Sequence, residues 1–158
     1  MRGSSKIQSP KSKEASISRL QSGVELRWWE TDDEDLAVKE RATGSGLYAN
    51  DLEERLALFG ENVIALAKKL PIADENRRIK DQLIGAGTSV GANYCEASES
   101  VSKKDFRFSI SRCKKEAKET RFFIRMTVAS APQLADIARP LYREATELML
   151  IFASMYRK

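Results

Sequence analysis

From Leu52 onward the chain places apolar side chains three and four residues apart, as Leu52, Leu56, Phe59, Val63, Leu66 and Leu70. That spacing winds them onto one stripe of an α-helix, and Pro71 predicts its end. A second stripe follows as Ile79, Leu83, Ala86, Val90, Asn93 or Tyr94, and Ala97, with Asp74 placed to cap it. Gly85, Gly87 and Gly91 in this stretch each cost up to about 1 kcal/mol of helix propensity relative to alanine, so they imply close contact with another helix. Ser102 to Asp105 reads Ser-Lys-Lys-Asp, a capping-box pattern with a shortened acid, and starts a third helix. After Pro132 a fourth carries Leu134, Ile137, Leu141, Ala145, Leu148, Phe152 and Met155. Four amphipathic helices with short links bury their stripes only against one another, and short links favour antiparallel neighbours. The pattern predicts an all-α domain over residues 51–158, an up-down-up-down antiparallel four-helix bundle.

Residues 1–46 break the pattern. The first 23 are rich in Ser, Lys and Gly and hold too little apolar surface to offset chain entropy, so disorder is expected there. Met1 to Ser5 resembles an expression-vector leader and Gly44 to Gly46 a linker, which makes a tag or fused peptide one reading of the whole extension. Between them Trp28 and Trp29 precede an acidic run from Glu30 to Asp35. Paired tryptophans in such a place either form a docking motif or pack onto the domain's own surface.

The third helix holds more than a core stripe. Its first 25 residues from Ser102 carry nine positive charges and four phenylalanines. At 100° per residue, Phe106, Ile110, Cys113, Ala117, Ile124 and Val128 gather within roughly 60° as the core stripe. Lys103, Arg107, Lys114, Lys118, Arg121 and Arg125 gather in another arc of roughly 60°, centred about 80° from the first. Phe108, Phe122 and Met126 fall on a third arc, where a lone bundle would show them to water. A second apolar face on a bundle helix usually marks a subunit interface, so these three residues predict a homo-oligomer. The basic arc reads either as a surface for a polyanion or as a solvated face partly neutralised by Asp105, Glu116 and Glu119.

Composition narrows the chemistry. The 158 residues carry a net charge of +4, a balance that permits a polyanionic partner without requiring one. Histidine is absent, which removes the commonest general base and metal ligand and with them the paired Glu-x-x-His sites of di-metal bundles. Gly85 to Gly91 lacks the lysine of a phosphate-binding loop and follows no strand. Asn93 and Glu96, three apart beside the second stripe, are expected to make an intrahelical or intersubunit polar contact. Cys95 and Cys113 fall inside helical patterns and are expected as reduced thiols. No apolar run approaches the ~20 residues of a membrane span. A non-enzymatic cytoplasmic protein without cofactor is the expectation.

The stretch from Arg78 to Ser100, followed by Ser102 to Phe106 and Lys115 to Met126, resembles the bacterial four-helix bundle proteins related to those encoded in intervening sequences of large-subunit ribosomal RNA genes. The likeness covers roughly residues 51 to 158. The family's small-residue run ending in Ala-Asn and then Glu falls on Ala92, Asn93 and Glu96, its Ser-Lys-Lys-Asp-Phe start on Ser102 to Phe106, and its Glu-Thr pair on Glu119 and Thr120. Where the family often has Tyr-Trp, this chain has Phe122 and Phe123, without polar tips. The resemblance implies a non-enzymatic oligomer, often a five-membered ring. Relatives in diversity-generating retroelements resemble nucleic-acid-binding partners of a reverse transcriptase. Two readings of function follow. One is a ring-forming adaptor that binds RNA or DNA phosphates through the basic arc of the third helix, as an accessory to a reverse transcriptase or to ribosomal RNA. The other is a protein-interaction scaffold.

Overall fold

The computed structural model describes residues 49–157; the extension over residues 1–46, with Trp28 and Trp29, lies outside them. Four helices, α1 (Ala49–Lys68), α2 (Asp74–Ser98), α3 (Lys103–Ser130) and α4 (Ala135–Arg157), follow in order, with a 3-10 turn at Pro132–Leu134 leading into the last. Among the described residues there is no strand. Each helix packs on its sequence neighbour, and α1 meets α4 more sparsely to close the bundle.

Cross-helix pairs give the direction of each packing. The early residue Arg112 of α3 reaches the late residue Glu96 of α2, and Ser130 at the end of α3 meets Asn76 at the start of α2. Arg107 and Arg121 of α3 lie on Tyr156 and Tyr142 of α4 in reversed order. Neighbours therefore run antiparallel.

The core is where the apolar spacing puts it. Leu56, Phe59 and Val63 of α1, Leu83 and Val90 of α2, Ile110, Ala117 and Ile124 of α3, and Ala145, Leu148 and Phe152 of α4 are all buried. Gly87 shows what its missing side chain permits: a Cβ there would stand 2.6 Å from Val63 Cγ1, so α1 lies directly against the α2 backbone. Gly85 departs from the expectation, because a Cβ built on it meets nothing within 4 Å.

Two helix starts differ in kind. Ser102 caps α3, its Oγ accepting from the Asp105 N–H at 3.1 Å and donating to Asp105 Oδ2 at 2.6 Å. The shortened acid thus bonds the cap hydroxyl itself. At α2 the expected cap does not form: Asp74 lies inside the first turn, and the N-cap is Ala73, extended and without a side-chain hydrogen bond. The joint is held instead by buried Asn76, whose Nδ2 donates to the Pro71 carbonyl at 3.0 Å and whose Oδ1 accepts from Ser130 Oγ.

In α4 the stripe shifts by one residue. Ile137, assigned to the core by its spacing, is 46% exposed, and Ala138 takes the buried place. Ile137 instead looks onto a groove of about 540 Å³ between α1 and α4, lined by Leu58, Phe59, Leu66, Pro140 and Leu141. At one end of the groove Arg55 bonds both carboxylate oxygens of Glu144, at 2.6 and 2.9 Å, and reaches Glu147 at 2.8 Å. Lys69 lines the other end.

Candidate nucleic-acid interface

The basic arc of α3 runs beside α4, and the contacts across that line sort its members. Lys103, Lys114 and Lys118 are exposed. Arg107 is exposed too, with its guanidinium carbon 4.8 Å from the centre of the Tyr156 ring, and Lys114 Nζ stands 5.8 Å from the same ring. Arg121 is drawn in further. Its Nη2 donates to Tyr142 Oη at 2.8 Å, its guanidinium lies 4.8 Å from the ring centre, and Nη1 reaches Met149 Sδ at 3.9 Å. Arg125, one turn on, is half-buried.

A sevenfold spacing underlies these contacts. Arg107, Lys114 and Arg121 recur every seven residues on α3, and Tyr142, Met149 and Tyr156 recur every seven on α4. Antiparallel helices with matching heptads bring such rows together. The cations thus have aromatic or sulfur surface beneath them and water above.

The acids within α3 form no ion pair with Lys103, Arg107, Lys114 or Lys118. Asp105 is occupied at the Ser102 cap. Burial pushes the Glu116 carboxyl above its ordinary range, and Glu119 adds to the shift. Ion pairs among the described residues engage Arg55, Arg77 and Arg112, whereas Lys103, Arg107, Lys114 and Lys118 enter none. On α4, Tyr142, Met149 and Tyr156 supply the surface on which Arg107, Lys114 and Arg121 rest. Sequence reasoning confined to α3 missed them; the heptad match between the two helices was the available signal.

The other predicted positions are spread out. Phe108 and Phe122 of α3 are 64% and 51% exposed, and Met126 is half-buried. Phe122 meets Phe123 edge to face at 5.1 Å, and Phe123 packs on the core. Asn93 is buried and donates to the Ser89 carbonyl at 2.7 Å within α2. Glu96, in contrast, faces solvent and accepts from Arg112 at 3.1 Å. It has no part in the Asn93 contact. Cys95 is exposed, while Cys113 is buried and its thiol is pushed up to about 12 by burial.

Such a molecule is an all-α bundle with two outward-looking faces on its third helix, one basic and one apolar. The chain belongs to the 23S rRNA-intervening sequence protein family, whose model matches residues 52–154. A crystal structure of a protein with unknown function from the S23 ribosomal protein family, from Bacteroides thetaiotaomicron VPI-5482, shares 23% identity and a TM-score of 0.62, covering 70% of this chain and 98% of that one. That likeness shows the fold. No curated protein matches the chain. No described helix is long and apolar enough to cross a membrane.

Proposed function

We propose that this protein is a non-enzymatic, oligomeric adaptor that binds RNA or DNA through phosphate contacts on the α3 face carrying Lys103, Arg107, Lys114 and Lys118, with Arg121 and Arg125 at its inner edge. The observation that carries the reading is the row itself: aligned cations on one face of α3, of which Arg107, Lys114 and Arg121 rest on α4 side chains. Lysine and arginine that neutralise phosphates release condensed counterions, so such a row gains affinity from every symmetry copy in an assembly. Phe108 and Phe122, large apolar groups left open to water, support a homo-oligomer. The family resemblance suggests a five-membered ring, and a reverse transcriptase or ribosomal RNA as partner.

Fluorescence polarisation of labelled single-stranded RNA and duplex DNA over a salt series tests the reading. The variant carries Lys103→Glu, Lys114→Glu and Lys118→Glu, all at exposed positions, and is matched to wild type in circular dichroism and oligomeric mass. Each lost phosphate contact removes about 0.9 from the slope of log affinity against log salt on duplex DNA and about 0.7 on a single strand. Wild type that binds neither probe at low salt, or a variant with unchanged affinity and slope, leaves the row a solvated face. The scaffold reading then replaces this one.

A further inference from the structure

Two tyrosines of α4 hold equivalent places beneath the row of cations and differ in their exposure. Tyr142 and Tyr156 are two heptads apart, about 21 Å by helical rise, and each has an arginine of α3 with its guanidinium carbon 4.8 Å from the ring centre. Tyr142 is buried, and its phenol accepts from Arg121 at 2.8 Å. That ring is closed to a ligand. Tyr156 is 38% exposed, and its two neighbours across the helix line, Arg107 at 4.8 Å and Lys114 at 5.8 Å, are exposed as well. Near the start of α3 the row therefore meets an aromatic surface open to water.

We infer that Tyr156 is a stacking platform for a nucleobase, so that this face takes single-stranded RNA or DNA in preference to a duplex. The inference rests on the reading of the row as a phosphate-binding surface. Within a duplex each base lies between its neighbours and shows only its edges, whereas the phosphates meet any basic surface. An exposed ring adds nothing to such contacts. In a single strand the bases splay out, and an aromatic ring or an arginine plane takes a base face to face. Tyr156 and Arg107 supply both kinds of surface at one point, so the cation over the ring extends the platform instead of blocking it. Lys114, and Lys103 one turn before Arg107, are exposed for the flanking phosphates. Every base has a π-face, so the site selects strandedness rather than sequence.

Polarisation of labelled oligo-uridylate, oligo-thymidylate and a DNA duplex of equal length over a salt series, with the full chain, tests this. Tyr156→Leu keeps apolar surface beneath Arg107 and Lys114 but removes the π-face, and Tyr156→Phe keeps the ring. Both are compared with wild type at matched circular dichroism and oligomeric mass. Tyr156→Leu should weaken binding of both single strands about 5- to 150-fold, the range that the loss of one stacked base gives. The salt slope should not change, because stacking releases no counterion. Duplex affinity, which rests on phosphates, should stay within about twofold of wild type. Tyr156→Phe should bind single strands as wild type does. Equal weakening on single strands and duplex, or a shallower slope, means that the ring only positions Arg107 and Lys114, and overturns the inference while the phosphate row stands. Unchanged single-strand binding by Tyr156→Leu overturns it in the same way, and a Tyr156→Phe variant as weak as Tyr156→Leu assigns the loss to the phenol and does so too. Wild type that binds no probe at low salt removes the row and this inference together.

Discussion

Arg121 and Tyr142 are joined twice, by a 2.8 Å hydrogen bond from guanidinium to phenol and by the guanidinium lying 4.8 Å from the ring centre. Tyr142 is buried, so the arginine spans from the packed interior of α3 and α4 to the surface. Its basic neighbours Lys114 and Lys118 are exposed. Arg121→Ala should therefore cost about 1–3 kcal/mol, through a lost hydrogen bond to a charged group and lost stem packing. Lys118→Ala should stay within about 0.5 kcal/mol of wild type. Urea melts of the two variants check this, and equal midpoints would show that Arg121 contributes no structural anchorage.

The glycines of α2 should respond to alanine with opposite signs. Gly87→Ala drives a methyl group to 2.6 Å from Val63 Cγ1 on the facing helix, and overpacking of this kind costs about 1–3 kcal/mol. Gly85→Ala enters open space and gains helix propensity, worth up to about 1 kcal/mol. Thermal melts that move both variants in the same direction contradict the packing described for α1 and α2.

Assembly should fail first at Phe122. With half its surface open in the isolated chain, Phe122→Glu leaves the fold intact but sets a charge into any face it shares with a second subunit. Size exclusion with light scattering should show a smaller species than wild type. A wild type that already runs as a monomer at micromolar concentration removes the interface.

The thiols give a pH test. Cys113 is buried with its thiol pushed up to about 12, against an ordinary value of 9.0, whereas Cys95 is exposed. Native protein should react with Ellman's reagent at one site, and urea-unfolded protein at two. Because the unfolded thiol gives up its proton at lower pH than the folded one, the unfolded state binds fewer protons above the unfolded value, and stability falls as pH rises. The contribution is whole below about pH 9 and is lost on the way to about pH 12. The stability difference between wild type and Cys113→Ala should shrink across that window. A constant difference would mean that the thiol titrates alike in both states.

Helix number, order and most of the core were legible from spacing alone, because three-and-four periodicity and a stripe that must be buried leave few choices for Phe59, Val90, Ile124 or Phe152. Ile137 misled for a physical reason. It lies at the edge of the α4 stripe, and only the sparse packing of α1 on α4 turns that edge toward water. Asn76 could not be foreseen as the pin of the α1–α2 joint, since its partners are a carbonyl five residues back and Ser130, 54 residues away. The arc of cations on α3 was visible on a helical wheel, but the division within it was not. Arg121 is drawn in by Tyr142 and Met149 of α4, which the wheel of α3 alone does not show, while Lys118 stays exposed.

The heptad spacing of Arg107, Lys114 and Arg121 also sets a ruler. Seven residues of α-helix advance about 10.5 Å, while one strand of a duplex presents a phosphate about every 3.4 Å along its axis. A strand laid parallel to α3 would meet this row at about every third nucleotide, with the intervening phosphates facing solvent. One subunit alone could then neutralise only a few phosphates, which is the scale of weak and sequence-blind attachment. Longer contact would have to come from geometry, by a strand passing from the row on one subunit to the row on the next.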